Sequence, residues 1–276
     1  YGSTIDLDNH CNLKQGADVA MVDLIDEMNR GEVAAVVFYG VNPALTAPKV
    51  DDFKKGLAKV GLKISFADRA DETASLCDYV CPDHNYLEAW NDAEPKKGVY
   101  SLAQPTIAPL FSTRAAQESL LSWSGNKTDY MTYMQENWRA TIAATQSLSF
   151  DAFWTNCVQT GLYTAPSTAA TPLTATAVDL AAVSTAIVNN PTPKGDLEVV
   201  FYEKAGIGNG TQANNPWLQE FPDPISKVTW DNYLAVSPKY ASDNGLVAGT
   251  IVTLEANGQS VKLPVLLQPG QAYGTA

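Results

Sequence analysis

Four cysteines and two histidines are the side chains in this sequence that most readily bind metals. They are Cys11, Cys77, Cys81, Cys157, His10 and His84. An iron–sulfur cluster needs several closely spaced thiolates, yet the only close pair is Cys77 and Cys81, which three residues separate. The histidines complete no zinc-ligand set with that pair. We therefore predict that this segment binds no metal and that its thiols are structural or incidental.

His84 is the one candidate for proton transfer, because an imidazole exchanges protons near neutral pH. It follows Pro82 and Asp83 at the predicted end of a strand. The spacing indicates no Ser or Cys nucleophile near it and no matched carboxylate. We therefore predict no catalytic residue in this segment.

A second polar set follows two predicted strands. The turn Gly40-Val41-Asn42-Pro43 comes after one strand, and Asp68 and Glu72 come after the next. Open α/β sheets bind ligands at such strand ends, and these carboxylates would suit a ribose or a guanine edge. The alternative is structural, because tight turns use Gly and Asn for backbone reasons and carboxylates favour helix N-termini. For the turn, the structural interpretation is favoured.

The elements that would position these residues alternate between strand and helix. An apolar helical face ends at Gly31, and the continuous apolar run 33–39 is typical of a strand buried on both faces of a parallel sheet. Strands are predicted at 62–67 and 78–82, with a short helix between the first two strands. Short loops between such elements imply a right-handed, Rossmann-like parallel α/β layer.

Helices dominate the next part of the chain. Ser112 or Thr113 is expected to cap a helix that ends near Trp123, and two more helices follow, over 130–145 and from Ser149 to Gly161. Residues 196–203 are predicted to return to the core as a strand.

Beyond Gly206 the pattern changes to loops and strands. Strands are predicted at 228–236, 250–255 and 260–267, with a hairpin turn at 257–258. We therefore predict two domains: an α/β domain with a helical insertion at 1–206, and a β-rich, β-barrel-like module at 207–276. Because that module looks incomplete, we expect the chain to be part of a longer polypeptide.

Composition limits the partners. The 276 residues carry a formal net charge of −12, which argues against nucleic acid as a partner. The longest uncharged run, 152–178, contains Pro166 and Pro172, so no membrane span is predicted. Only 17% of the residues are charged, against about 25% in an average soluble domain. Such a surface is typical of a chain covered by partner proteins, or of a secreted protein rich in Ser, Thr and Asn.

Taken in order, these motifs resemble the molybdopterin oxidoreductase superfamily. There a strand ends in a Gly-x-Asn-Pro turn, and a Glu-Thr-Ala helix leads into an Asp-Val-Val-Leu-Pro strand. Residues 38–43, 71–74 and 78–82 follow that order, and residues 236–252 resemble the superfamily's C-terminal dinucleotide-binding module. Residues 84–92, 100–107 and 215–233 are similar, more narrowly, to the B subunits of alternative complex III, a bacterial quinol-oxidising respiratory complex.

The resemblance implies a non-catalytic part of an iron–sulfur subunit that holds no molybdenum cofactor. Its clusters would lie in a region absent from this chain, and its partners would be a multihaem cytochrome and integral quinol-binding subunits. The location implied is the periplasmic face of the inner membrane. Relatives that hold the cofactor have a Gly-Thr turn and an Arg after the Leu-Pro strand, whereas this chain has 90–100 without them. The alternatives are a fragment of a catalytic molybdenum or tungsten bis-pterin oxidoreductase and a free periplasmic binding module.

Five aromatic residues in predicted loops are candidates for a protein interface. They are Trp90, Tyr100, Trp217, Phe221 and Trp230. Loop aromatics flanked by Pro, Asn and Asp offer a large apolar face at a small entropic cost. We expect at least part of 215–231 to contact another subunit or the cluster-bearing region.

Overall fold

The computed structural model describes residues 8–13, 16–145, 147–166, 179–189, 195, 197–256 and 258–276. The chain divides into two compact units, Tyr1–Thr176 and Ala177–Ala276. Backbone bonds join Glu198 to Gly274 and Val200 to Ala276 inside the second unit. These bonds are contacts within the second compact unit. They do not test the predicted domain boundary near residue 206, which stays a prediction.

The first unit contains a parallel sheet with helices and a separate antiparallel sheet. Its helices are α1 (Asp18–Arg30), α2 (Pro43–Thr46), α3 (Val50–Leu57), α4 (Ala116–Trp123), α5 (Tyr130–Ala140) and α6 (Phe150–Thr160). Its strands are β1 (Ala35–Phe38), β2 (Leu62–Ser65), β3 (Tyr79–Val80), β4 (Asn91–Lys96), β5 (Val99–Ala103) and β6 (Leu162–Thr164). Short 3₁₀ turns lie at Ala74–Leu76 and Ala143–Thr145.

The parallel layer has the order β1-β2-β3 and confirms the predicted α/β arrangement. Ile25 and Met28 of α1 and Phe53 and Leu57 of α3 are buried in one cluster with Phe38 of β1. Gly31 ends α1 in the left-handed conformation, with φ of 76°, as the sequence indicates. This helix-on-sheet core supports the loops at the carboxyl edge.

The prediction that residues 33–39 are buried on both faces is wrong. In the described part of the chain β1 pairs only with β2, so it lies at the edge of the sheet. Phe38 is buried, but Val37 is 47% exposed. An apolar run indicates a strand, but only long-range pairing decides whether that strand is central.

Of the predicted helix caps, the one for α6 is confirmed and the one for α4 is wrong. Ser149 Oγ accepts from the Ala152 N–H at the start of α6, and Gly161 follows the helix with φ of 71°. By contrast α4 begins at Ala116, later than predicted, and neither Ser112 nor Thr113 caps it. The Ala116 N–H instead donates to the Asp83 carboxylate, 33 residues earlier in the sequence.

The antiparallel sheet β4-β5-β6 was not predicted. Pro95 interrupts β4, and the register shifts between Ala93 and Lys96, which disguises the strand in the sequence. The sheet packs against the second core, formed by Met134 and Trp138 of α5 and side chains of α6.

The second unit has a three-stranded mixed sheet. Its elements are α7 (Leu180–Asn189), α8 (Pro216–Glu220), β7 (Leu234–Val236), α9 (Pro238–Asp243), β8 (Ile251–Ala256) and β9 (Gln259–Leu267). The order is β7-β9-β8, with β7 parallel and β8 antiparallel to β9. The β8–β9 hairpin is confirmed, although residue 257 of its predicted turn lies outside the described residues. Among the described residues these strands close no barrel.

The predicted strand at 196–203 is also wrong for the residues that the structure describes. Only Glu198 forms a β-bridge, a single one to Thr275. Phe201 in the same segment is 84% exposed. The apolar residues have β-forming chemistry, but among the described residues no neighbouring strand pairs with them.

Candidate functional site

Three loops meet the carboxyl edge of the parallel sheet. They are 39–42 after β1, 66–69 after β2 and 81–84 after β3. The parallel register brings the polar residues predicted from the sequence to one edge, as expected for an open α/β sheet. The edge therefore has the topology of a ligand site, and the bonds of its side chains decide whether it can bind one.

Both the nitrogen and the oxygen of the Asn42 side-chain amide form hydrogen bonds to other residues of the chain. Its Nδ2 donates to Glu72 Oε2 at 2.7 Å, and its Oδ1 accepts from the Thr73 hydroxyl at 2.6 Å and from the Thr73 N–H. The buried Thr73 hydroxyl also accepts from the Ala44 N–H at 2.9 Å. The bond from Asn42 lowers the pKa of Glu72. This network joins the two loops and supports the structural interpretation of the turn.

The two aspartates at the edge are also paired. Arg69 donates two bonds to the Asp68 carboxylate, at 2.9 and 2.8 Å. Asp83 Oδ1 accepts from the N–H groups of His84 and Ala116, both at 2.8 Å. Burial raises the pKa of Asp83, and the two backbone bonds act in the opposite direction. The Asp83 carboxylate thus accepts a hydrogen bond from the first N–H group of α4 and does not face an open cleft.

His84 lies in a cluster with Thr113 and Glu88. Its Nδ1 is 2.6 Å from the Thr113 hydroxyl and 4.0 Å from Glu88 Oε2. Glu88 accepts from the N–H groups of Leu110 and Asn85, and these bonds lower its pKa. Both side-chain neighbours contact the same ring nitrogen, so the geometry does not form a nucleophile–base–carboxylate relay.

The sequence did not reveal the aromatic side chains at this edge. Trp123, at the end of α4, stacks on Phe66 with ring centroids 5.3 Å apart. Tyr39 packs edge-on against Phe66, and its hydroxyl accepts from Gln117 Nε2 at 3.0 Å. These three rings come from three distant segments, so no local motif marks them.

The cysteines are all free thiols. Cys77 and Cys81 are partly buried, Cys157 is buried and Cys11 is exposed. Burial raises the pKa values of Cys77 and Cys157, which disfavours their thiolate forms. Within the described ranges no three His, Cys, Asp or Glu side chains are grouped so that they could hold a metal ion.

Two of the five predicted interface residues pack inside the first unit. Trp90 and Tyr100 are partly buried against the α5–α6 core. Trp90 lies near Trp154, with centroids 6.1 Å apart, and Tyr100 stacks on Tyr163 at 6.3 Å. Part of each ring is therefore already covered by its own unit.

The other three predicted residues are exposed on the second unit. Trp217 is 83% exposed, Phe221 63% and Trp230 55%. We call these three side chains the aromatic surface. Asn215 caps α8 by accepting from the Trp217 N–H, and the Trp230 N–H donates to Gln219 O at 2.8 Å. The segment that carries the surface is therefore held by defined bonds.

Backbone geometry also fixes this segment. Lys227 and Trp230 have φ of 61° and 63°, which non-glycine residues rarely adopt. Asp223 holds the turn before them, because its carboxylate accepts from the Ile225 and Ser226 N–H groups and the Ser226 hydroxyl. Non-glycine residues in this region persist only where the surroundings impose them.

Known proteins resemble this chain in sequence and in fold. A stretch of 95 residues is 41% identical to the menaquinone reductase, molybdopterin-binding-like subunit of Nitratidesulfovibrio vulgaris. It makes up 33% of this chain and 14% of that protein. Acetylene hydratase from Pelobacter acetylenicus has a similar fold, with a TM-score of 0.58 and 17% identity, over 92% of this chain and 38% of that one. No protein-family model matches the chain.

These similarities support a molybdopterin-enzyme-like superfamily for this chain, of mixed α/β fold. The chain spans well under two thirds of either protein. In the part of the chain that the structure describes, every buried side-chain nitrogen or oxygen already has a hydrogen-bond partner. The carboxyl edge therefore presents no buried group that awaits a ligand.

Proposed function

We propose that this chain is a non-catalytic, molybdopterin-enzyme-like part of an iron–sulfur subunit in a bacterial quinol-oxidising complex of the alternative complex III type. The printed name of the 41% identical relative, a menaquinone reductase subunit, supports a role linked to quinone chemistry. The iron–sulfur clusters would lie elsewhere in the polypeptide. We also propose that the second unit is part of a larger, β-barrel-like module.

The proposed lack of a cofactor is supported by two features of the first unit. Asn42, Asp68 and Asp83 are bonded to neighbouring residues at the sheet edge. Residues 91–103, where cofactor-holding relatives have a Gly-Thr turn and an Arg, form the β4–β5 hairpin. Apart from the register shift between Ala93 and Lys96, this segment is paired in a sheet, and that pairing is unlike a loop that closes on a cofactor.

The observation that carries the assembly role is the aromatic surface of the second unit. Large aromatic side chains that stay exposed on a rigid segment are typical of interface anchors. The proposed partners are a multihaem cytochrome, integral quinol-binding subunits or the cluster-bearing region of the same polypeptide. The proposed location is the periplasmic face of the membrane. No helix among the described residues is long and apolar enough to span a bilayer.

The experiment compares two exposed aromatic residues in the full complex. Trp217→Ala removes the most exposed ring of the aromatic surface, and Phe111→Ala removes a ring that is 78% exposed on the first unit. Truncating a buried hot spot costs about 2 kcal/mol or more of binding free energy. We therefore expect Trp217→Ala to weaken association by about thirtyfold, whereas Phe111→Ala leaves it unchanged.

Retention of the partner subunits after salt and detergent washes measures the association. Circular dichroism checks that both variants are folded. A Trp217→Ala complex that survives the washes as well as the parent contradicts the interface proposal.

A further inference from the structure

A cleft of about 250 Å³ lies in the second unit, outside the sheet edge and the aromatic surface. It is lined mainly by apolar side chains of the 199–204 segment and of strands β7 to β9. Its apolar lining includes Val200, Phe201, Leu234, Leu254, Val261 and Leu263. Small-molecule sites are apolar clefts with a few placed polar groups, and this volume lies just below their usual range of about 300–1,000 Å³.

The polar groups of the cleft lie together. The hydroxyls of Tyr202 and Tyr233 are 2.7 Å apart and share one hydrogen bond. That bond uses one of the two hydroxyl protons, so the other remains able to donate to a ligand. Lys204 Nζ lies 5.0 Å from the centroid of the Tyr233 ring and donates to the Asp231 carbonyl.

The wall of the cleft is fixed although it belongs to no strand. The Val200 N–H donates to Ala276 O at 2.9 Å, and the Ala276 N–H donates to Glu198 O at 2.8 Å. The opposite wall includes Leu234 of β7, which pairs with Val265 of β9. The cleft is therefore formed by backbone pairing, and a ligand would meet a largely preformed site.

Electrostatics favours a neutral ligand with a hydrogen-bond acceptor. Burial around its hydroxyl, followed by the bond to Tyr233, raises the pKa of Tyr202 to about 12, so the phenol keeps its proton at neutral pH. The carboxylate of Asp223 acts on the same hydroxyl, and the chain carries a net charge of −12. The cleft also contains the positive charge of Lys204, whose ammonium already donates to the Asp231 carbonyl, so charges of both signs lie near the two hydroxyls. A carbonyl oxygen can accept from the phenol without adding a charge to either.

We propose that this cleft binds a small neutral ring compound through a carbonyl oxygen, which accepts from the Tyr202–Tyr233 pair. One or two fused rings would fill the apolar part against Leu234, Leu254 and Leu263. Quinones and aryl ketones have this chemistry. The inference rests on the cleft alone and not on the proposed assembly role.

The test uses 2,3-dimethyl-1,4-naphthoquinone as the probe and 2,3-dimethylnaphthalene as the matched hydrocarbon. Methyl groups occupy both carbons of the quinone ring to which a thiol would add, which disfavours addition of the exposed thiol of Cys11. We compare the unaltered chain with the double variant Tyr202→Phe, Tyr233→Phe and with Tyr240→Phe, whose ring lies outside the cleft. Backbone amide shifts of β7 and β9 in NMR titrations report binding.

The expected result is saturable binding of the quinone that is about three- to tenfold weaker in the double variant, the loss typical of one hydrogen bond. Tyr240→Phe should bind the quinone like the parent, and the hydrocarbon should bind all three proteins weakly and equally. Three results overturn the inference: no saturable shift, equal quinone affinity in the double variant, or hydrocarbon affinity equal to that of the quinone. Association of the complex is not measured here, so failure leaves the proposed function untouched.

Discussion

Trp138 in the first unit is fully buried, and its Nε1 donates to Asp92 at 2.6 Å, whereas Trp217 in the second unit is 83% exposed. The same contrast holds for the rings around them. Phe153 and Trp154 pack on Trp138, while Phe221 and Trp230 remain more than half exposed. Aromatic content alone does not separate core from surface. The rings around Trp138 form a core, whereas Trp217, Phe221 and Trp230 form the surface for which we propose a partner.

The carboxylates of the two units differ in a similar way. Burial raises the pKa of Asp83 in the first unit, although it accepts two backbone bonds. In the second unit the bond from the Ser226 N–H is the main cause that lowers the pKa of Asp223. Both side chains organise loops, but desolvation is the largest influence on the pKa of Asp83, whereas a backbone hydrogen bond is the largest influence on the pKa of Asp223.

The largest effect is expected from removing the central ring of the first unit. Trp138→Ala should lower the free energy of unfolding by about 3–5 kcal/mol, because it leaves a cavity and removes the donor to Asp92. Trp217→Ala should change it by less than about 0.5 kcal/mol in the isolated chain. Chemical denaturation of both variants measures the difference. Equal losses of unfolding free energy would show that Trp217 is part of a core, and would contradict the proposed difference between Trp138 and Trp217.

A smaller loss of unfolding free energy is expected when the hydrogen-bond network at the sheet edge is interrupted. Thr73→Val keeps the shape but leaves the Ala44 N–H without its acceptor, which costs about 1–3 kcal/mol of unfolding free energy. Ser75→Ala is the control, because this nearby hydroxyl is exposed and donates to Asp71 O. A Thr73→Val protein as stable as the control would mean that the network does not hold the two loops.

The contributions of Asp83 and Asp223 to folding stability are expected to depend on pH in opposite directions. The unfolded pKa of both is about 3.9. The lowered pKa of Asp223 contributes stability that is present above that value and is lost as the pH falls through its folded pKa. The raised pKa of Asp83 contributes stability that is present below that value and is lost as the pH rises through its folded pKa.

Unfolding measured between pH 7 and pH 3 in Asp83→Asn and Asp223→Asn tests this pair. The advantage of the parent over Asp223→Asn should shrink as the pH falls, and its advantage over Asp83→Asn should grow. Parallel pH profiles for the two variants would contradict the opposite shifts.

No spectroscopic effect is expected from the close cysteine pair. Replacing Cys77 and Cys81 by Ala in the full complex should leave its electron paramagnetic resonance spectrum unchanged, because a cubane needs four ligands and this chain offers one close pair. Loss of one cluster signal from a folded complex would show that these thiols bind a cluster.

The sequence predicts elements whose signals are local. The α1 helix with its Gly31 stop, the Ser149-to-Gly161 limits of α6 and the β8–β9 hairpin are confirmed because periodicity, caps and turn residues lie within each segment. The edge position of β1 and the Asp83 cap of α4 depend on contacts between distant segments. No local pattern contains that information.

The same distinction between local signals and long-range contacts applies to the candidate site. Sequence order placed Asn42, Asp68 and Glu72 near one sheet edge, and the parallel register brings their loops there. It could not show that the Asn42 amide is bonded to Glu72 and Thr73, or that Trp123 reaches Phe66. Whether a polar side chain is free for a ligand depends on its partners, and those come from elsewhere in the chain.

Metal and pterin analysis of the purified complex tests the central claim most directly, that this chain is a non-catalytic relative of molybdopterin enzymes. Molybdenum and tungsten are measured by elemental analysis and pterin by fluorescence after oxidation, each relative to the amount of this chain. Our account predicts neither metal and no pterin in stoichiometric amount. One metal with pterin per chain would contradict it and support the alternative, a fragment of a catalytic bis-pterin oxidoreductase.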